Sequence, residues 1–138
     1  MAGFGLQQAS NGSLEHNSVL TIQNDDAGTI AARDFAVMEA DGNVVRVDAN
    51  DSLNLGSTIV CALASVSSAA SGKFSSGSMV ISGFSGLAEE GPVYLSRTTA
   101  GGFTQSLSGF VAGEHIVLLG QAVSATALYF EPRYIAEF

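Results

Sequence analysis

The chain has no tryptophan, one cysteine, two histidines and five basic residues against thirteen acidic ones. Each shortage excludes something. A net charge of −8 argues against nucleic acid or an anionic membrane surface as partner. A single cysteine, Cys61, cannot form an intramolecular disulfide, and its apolar run marks it as a buried, inert thiol. No stretch of about 18 apolar residues is present, and Met1-Ala-Gly-Phe-Gly5 lacks the basic start of a secretion signal. The chain is therefore expected to fold in a reducing cytosol. Charged residues make up only 13% while hydrophobic ones make up 46%. A chain of 138 residues fits one domain, and one this poor in charge is expected to hide much of its surface against something else.

What the sequence does contain is short runs of period two between glycine-rich turns, and no helical period. Pro92-Val-Tyr-Leu-Ser96, Phe103-Thr-Gln-Ser-Leu107, Ile116 to Ser124 and Ala127-Leu-Tyr-Phe130 read as successive strands of a β-meander. Ala100-Gly-Gly102 supplies one tight turn. Upstream, Ser18 to Ile22, Thr29 to Met38, Val44 to Val47, Thr58 to Val66 and Ser78 to Ser82 read as further strands, with Asp41-Gly42 as a hairpin signal. Ser67 to Gly72 reads as a small, flexible link, and Arg133 to Phe138 as a last edge strand or a C-terminal clip. The expected fold is all-β, a barrel or sandwich of about ten short strands.

Sliding the sequence on itself by 57 residues lays Asp34-Phe-Ala-Val-Met38 on Gly91-Pro-Val-Tyr-Leu95 and Ile59-Val60 on Ile116-Val117. Two related β-meanders, about residues 29–82 and 86–138, are therefore expected within the domain at 18–138. Residues 1–17 show no period and are rich in Gly, Gln, Asn and Ser. Their composition is that of a mobile arm, and the spaced Phe4, Leu6 and Leu14 suit docking on a neighbour; a free tail and a docking arm both stand.

Catalytic chemistry is hard to find. Glu114 and His115 are adjacent, and adjacent strand residues point to opposite faces, so a polar strand cap is a better reading than an acid–base pair. No nucleophile elbow, phosphate loop or Cys/His cluster occurs. Asp25, Asp26, Asp48 and Asp51 read as solvated turn carboxylates, because Asp48-x-Asn50 lacks the glycine and the later glutamate of a calcium loop. Tyr94, Phe103, Phe110, Tyr129, Phe130 and Tyr134 lie within strands and read as core or interface residues, and the absence of tryptophan weakens a sugar-binding reading. No enzyme activity, cofactor or metal is expected.

Gly91-Pro-Val-Tyr-Leu-Ser96, Thr98-Thr-Ala-Gly-Gly102, Val117-Leu-Leu-Gly-Gln-Ala-Val-Ser124 and Leu128-Tyr-Phe-Glu-Pro132 together resemble a segment of small bacteriophage virion proteins. Gly28 to Val37 with Ala62 to Val66 is similar to the N-terminal part of such proteins, so the resemblance spans roughly residues 18–132. It implies a virion component, a class that includes capsid decoration (cement) proteins and head- or tail-fibre pieces, without saying which. The low charge and the apolar-spotted arm favour a decoration protein, made in the host cytoplasm and carried on the capsid surface. Its partners would be the major capsid protein and further copies of itself in a homotrimer. The alternative it leaves is a tail or fibre module that adheres to the host surface. Phe4, Leu6, Leu14, Tyr134 and Phe138 are the expected contact residues.

Overall fold

A computed structural model of the chain describes residues 18–50 and 58–138. Phe4, Leu6 and Leu14 lie outside the described residues, as does Asp51. The described chain is all-β. Its strands are β1 (Val19–Gln23), β2 (Phe35–Met38), β3 (Val44–Arg46), β4 (Ile59–Ala62), β5 (Ser71–Ser75), β6 (Met79–Ser82), β7 (Pro92–Leu95), β8 (Phe103–Thr104), β9 (His115–Ala122) and β10 (Ala127–Glu137).

They form two antiparallel sheets, ordered β1-β5-β4-β2-β3 and β6-β10-β9-β7-β8. Neither closes on itself, which makes the architecture a sandwich rather than a barrel. The two orders are the same permutation, and the registers correspond. Ala62 opposite Phe74 matches Ala122 opposite Leu128, and Val37 opposite Val45 matches Tyr94 opposite Thr104. The ungapped comparison located β2 on β7 but missed the register of the central strands. Val37 faces Ile59 while Tyr94 faces Leu118, so Leu118, not Ile116, stands in the place of Ile59.

Other expectations change as well. Neither sheet is a meander, because β4 pairs with β2 rather than β3, and β9 with β7 rather than β8. β8 is only two residues long, too short to serve as a central strand. Met79–Ser82 pairs with β10, which puts it in the second sheet and not in the first half. The segment read as a flexible link contains the start of β5, whose Phe74 is fully buried although S-G-K-F-S has little strand propensity. Finally, Ala127–Phe130 and Arg133–Glu137 belong to one long strand that runs through Pro132. The register passes from Phe130 opposite Gly120 to Arg133 opposite Leu118, so Pro132 sits in an irregularity where no ladder bond from its nitrogen is required.

The Asp41-Gly42 hairpin forms as read: Gly42 lies at φ 87° and its N–H donates to Glu39, while Asn43 N–H donates to Asp41 Oδ1 at 2.9 Å.

The main core lies between the sheets. Phe35, Val37, Ile59 and Cys61 meet Val93, Leu95, Val117, Leu119, Leu128 and Phe130. Phe35 anchors it, with ring centroids 6.1 Å from Phe84 and 5.6 Å from Phe130. Burial pushes the Cys61 thiol up to about 12, so it stays protonated and unreactive.

The alternate side chains of the first sheet, Ala36, Val60, Ala62 and Phe74, enter a second cluster with Ile22, Ile30 and Val66. Both faces of that sheet are therefore buried. The chain between β1 and β2 makes the cover, with Ile30 bridged to Val66. Buried Asn24 ties it down, donating to the carbonyls of Gly28 (3.0 Å) and Val66 (2.9 Å) and accepting from Asp26 N–H (2.7 Å). The equivalent chain between β6 and β7 makes the matching bonds: Glu90 N–H donates to the Ala122 carbonyl and Ala122 N–H to that of Gly91, as Arg33 N–H does to Ala62 and Ala62 N–H to Asp34. It sends Phe84 and Leu87 onto the corresponding face of the second sheet, which here lies between the sheets, and among the described residues nothing covers the outer face.

Candidate interaction surface

The bare face is built row by row from the strand registers, since residues directly opposite in an antiparallel sheet share a face. One row runs Val80, Tyr129, Gln121, Pro92, all exposed. The next runs Arg133, Leu118, Tyr94, Thr104. Glu90, Gln121, Tyr129, Glu131 and Arg133 line a groove of about 750 Å³ across these rows, floored in part by Pro92 and Leu118. Val80 is 53% exposed and Tyr129 37%, large apolar areas for a face that its counterpart sheet keeps covered.

A bulge aims the two rows. Leu119 and Gly120 are both buried on the inner side, which leaves Leu118 and Gln121 facing out. Gly120 sits at φ 149°, and a Cβ placed on it would stand 1.9 Å from the Tyr129 carbonyl oxygen. Only glycine fits there.

Beyond the face, the far end of the β9–β10 ribbon carries a second apolar cluster: Val111, Tyr134, Ile135 and Phe138, each 41–53% exposed. Its geometry is held by Glu114. The carboxylate accepts from Arg97 Nε and Nη2, both at 3.0 Å, and from Val111 N–H at 2.9 Å. Those bonds hold the Glu114 carboxyl below the ordinary glutamate range, the Arg97 hydrogen bond contributing most. Phe138 closes the ribbon by donating its N–H to the Glu114 carbonyl, and its ring packs 6.2 Å from Phe110.

His115 turns the other way from Glu114 and meets the Tyr134 hydroxyl with Nδ1 at 3.0 Å. The two adjacent residues thus form no pair with each other. Among the described residues, Asp25, Asp26 and Asp48 are not brought together either. Asp26 is committed to Arg46, accepting from its N–H (2.9 Å) and Nη2 (3.1 Å). Burial raises the Asp26 carboxyl, but the hydrogen bonds from Arg46 and Gly28 outweigh it and hold the group low. Asp48 caps its own turn through Asn50 N–H. Asp25 instead comes within 4.8 Å of Glu39 and Asp41, turn carboxylates of the neighbouring hairpin.

Of the expected contact residues, the structure places Tyr134 and Phe138 together at the ribbon end. Val80, Val111, Leu118 and Ile135 were missed. Val80 carried a signal in retrospect: in Met79-Val-Ile-Ser82 it alternates with Ile81, which is buried. Comparison with protein-family models, curated proteins and solved structures gives no match.

Proposed function

We propose that the protein is a structural component that decorates an assembled bacteriophage capsid, using the outer face of the second sheet and the ribbon end as its contact surface. The observation that carries this reading is the asymmetry between two sheets of the same strand order. One has both faces buried, and the other leaves Val80 and Tyr129 exposed and Leu118 half-buried, with no cover among the described residues. A chain with 13% charged residues and such a face gains by association: each large side chain buried contributes roughly 1.5–3 kcal/mol before ordering costs. The virion context comes from the resemblance carried by Gly91 to Ser96, Val117 to Ser124 and Leu128 to Pro132. A homotrimer on the capsid, in contact with the major capsid protein, is part of the same proposal.

A second reading, adhesion of a tail or fibre module to host glycan, is favoured by the groove. Tyr129 offers a ring for stacking, while Gln121, Glu90 and Arg133 offer hydrogen-bonding groups.

One experiment separates the two. Purified protein is mixed with undecorated heads of the encoding phage and, in parallel, with host cells. Decoration predicts saturable co-sedimentation with heads at fixed stoichiometry and none with cells. Binding to cells without binding to heads would replace the first reading by the second.

A further inference from the structure

Past Phe130 the last strand has a ladder partner on one side only. β6 pairs with Ala127 to Phe130 and stops, while β9 continues along the other side to Glu137. Residues Glu131 to Glu137 thus present an open strand edge among the described residues. Tyr134 and Ile135 stand exposed on it and Phe138 just beyond. An edge of this length is a template for another strand.

The place where residues 1–17 join the domain lies beside the start of that edge. Ser18 accepts a hydrogen bond from Ser76 N–H at 2.8 Å. The next residue, Gly77, lies against β10, where a Cβ would stand 3.0 Å from Pro132 Cδ and 3.8 Å from Glu131 Cα. Followed backward from Ser18 along the edge, the chain would meet Glu131 first and Glu137 last. That direction is antiparallel to β10, in line with β6, and matches every ladder of the second sheet. Reach is ample, since seventeen extended residues span roughly 55 Å against about 23 Å for the seven-residue edge.

The sequence of the segment fits an edge strand. Residues 1–14 carry no charged side chain, and Phe4 and Leu6 alternate so that an extended chain presents both on one side. A second copy of β10 fits less well. Antiparallel self-pairing centred on Tyr134 sets Glu131 opposite Glu137 twice, like charge against like.

We propose that a stretch of about seven residues within residues 1–17 of the same chain, including Phe4 and Leu6, pairs along Glu131 to Glu137 and extends the second sheet past the end of β6. This goes beyond the decoration reading and does not depend on it: the segment docks on its own domain, not on a neighbour. Pairing fills the backbone edge and protects the isolated protein from edge-to-edge association.

The test is hydrogen–deuterium exchange of the amides from Arg133 to Glu137 in the full chain, in the full-length double variant Phe4→Ser with Leu6→Ser, and in a chain lacking residues 1–17. The amides of Val93 and Leu119 report that each protein is folded. The expected result is exchange about tenfold or more faster in the truncated chain, with the double variant between, at every protein concentration. Equal rates in all folded proteins would overturn the proposal. So would protection in the full chain that fades on dilution, because residues 1–17 would then be docking on a second copy. Should the truncated chain fail to fold, the double variant decides.

Discussion

Gly120 lies against the carbonyl of Tyr129, and no side chain can be placed between them. This contact turns the β9 bulge, and the bulge sets Leu118 and Gln121 on the outer face beside Tyr129. Gly120→Ala would place a methyl group 1.9 Å from a backbone oxygen in a conformation that L residues rarely adopt. A loss of about 3 kcal/mol or more is expected, read as a lower midpoint in urea unfolding. Gly42, with nothing within 4 Å of its added Cβ, is the control. Gly42→Ala meets backbone strain only and is expected to cost about 1–2 kcal/mol.

Acid should loosen the ribbon end first. Glu114 has its carboxyl lowered by Arg97 and by Val111 N–H, so the unfolded chain takes up a proton before the folded one does. The stability from this latch is present above the ordinary glutamate value of about 4.5 and is lost as pH falls through the lower, folded value. Asp26 acts in the same sense, while Asp34, raised by burial, acts in the opposite one. The protection of the Val111 and Phe138 amides, their exchange compared with that of an unstructured chain at the same pH, should fall between pH 7 and pH 3. Glu114→Gln should show the lower protection already at pH 7 and remove most of the acid step.

Two phenylalanines should separate core from surface. Phe35 is fully buried against Phe84 and Phe130, and Phe35→Ala is expected to cost about 3–5 kcal/mol. Phe138, half exposed and with Phe110 as its one ring partner among the described residues, should lose about 1 kcal/mol or less on the same change. Thermal unfolding of both variants checks the ratio.

The strands legible in the sequence were those with strong period-two runs, Pro92 to Leu95, Ile116 to Ala122 and Ala127 to Phe130, because alternation reports a half-buried surface directly. β5 was not legible. Ser-Gly-Lys-Phe-Ser becomes a strand because Phe74 fills a cavity under Ile30 and Val66, contacts that period alone does not carry. The pairing order also escaped, since joining β9 to β7 across β8 is decided by which strand is long enough to sit inside the sheet. At the surface, Tyr134 and Phe138 are exposed in the segment whose alternation near the end of the chain reads as an edge strand. The exposure of Val80 and Tyr129 was not legible, because it depends on which face of the second sheet packs against the first, and alternation alone does not say which of two faces is covered.

The claim that the bare face of the second sheet is the binding surface is tested most directly by putting charge on it. Val80→Lys and Tyr129→Lys change exposed side chains and should leave the melting temperature within about 2 °C of the parent. Gln23→Lys, exposed at the end of β1 in the first sheet and opposite Ser71, is the control. In co-sedimentation with undecorated heads, the double variant is expected to bind at least about tenfold more weakly, and Gln23→Lys as the parent does. A folded Val80→Lys, Tyr129→Lys protein that occupies heads as tightly as the parent would contradict the account.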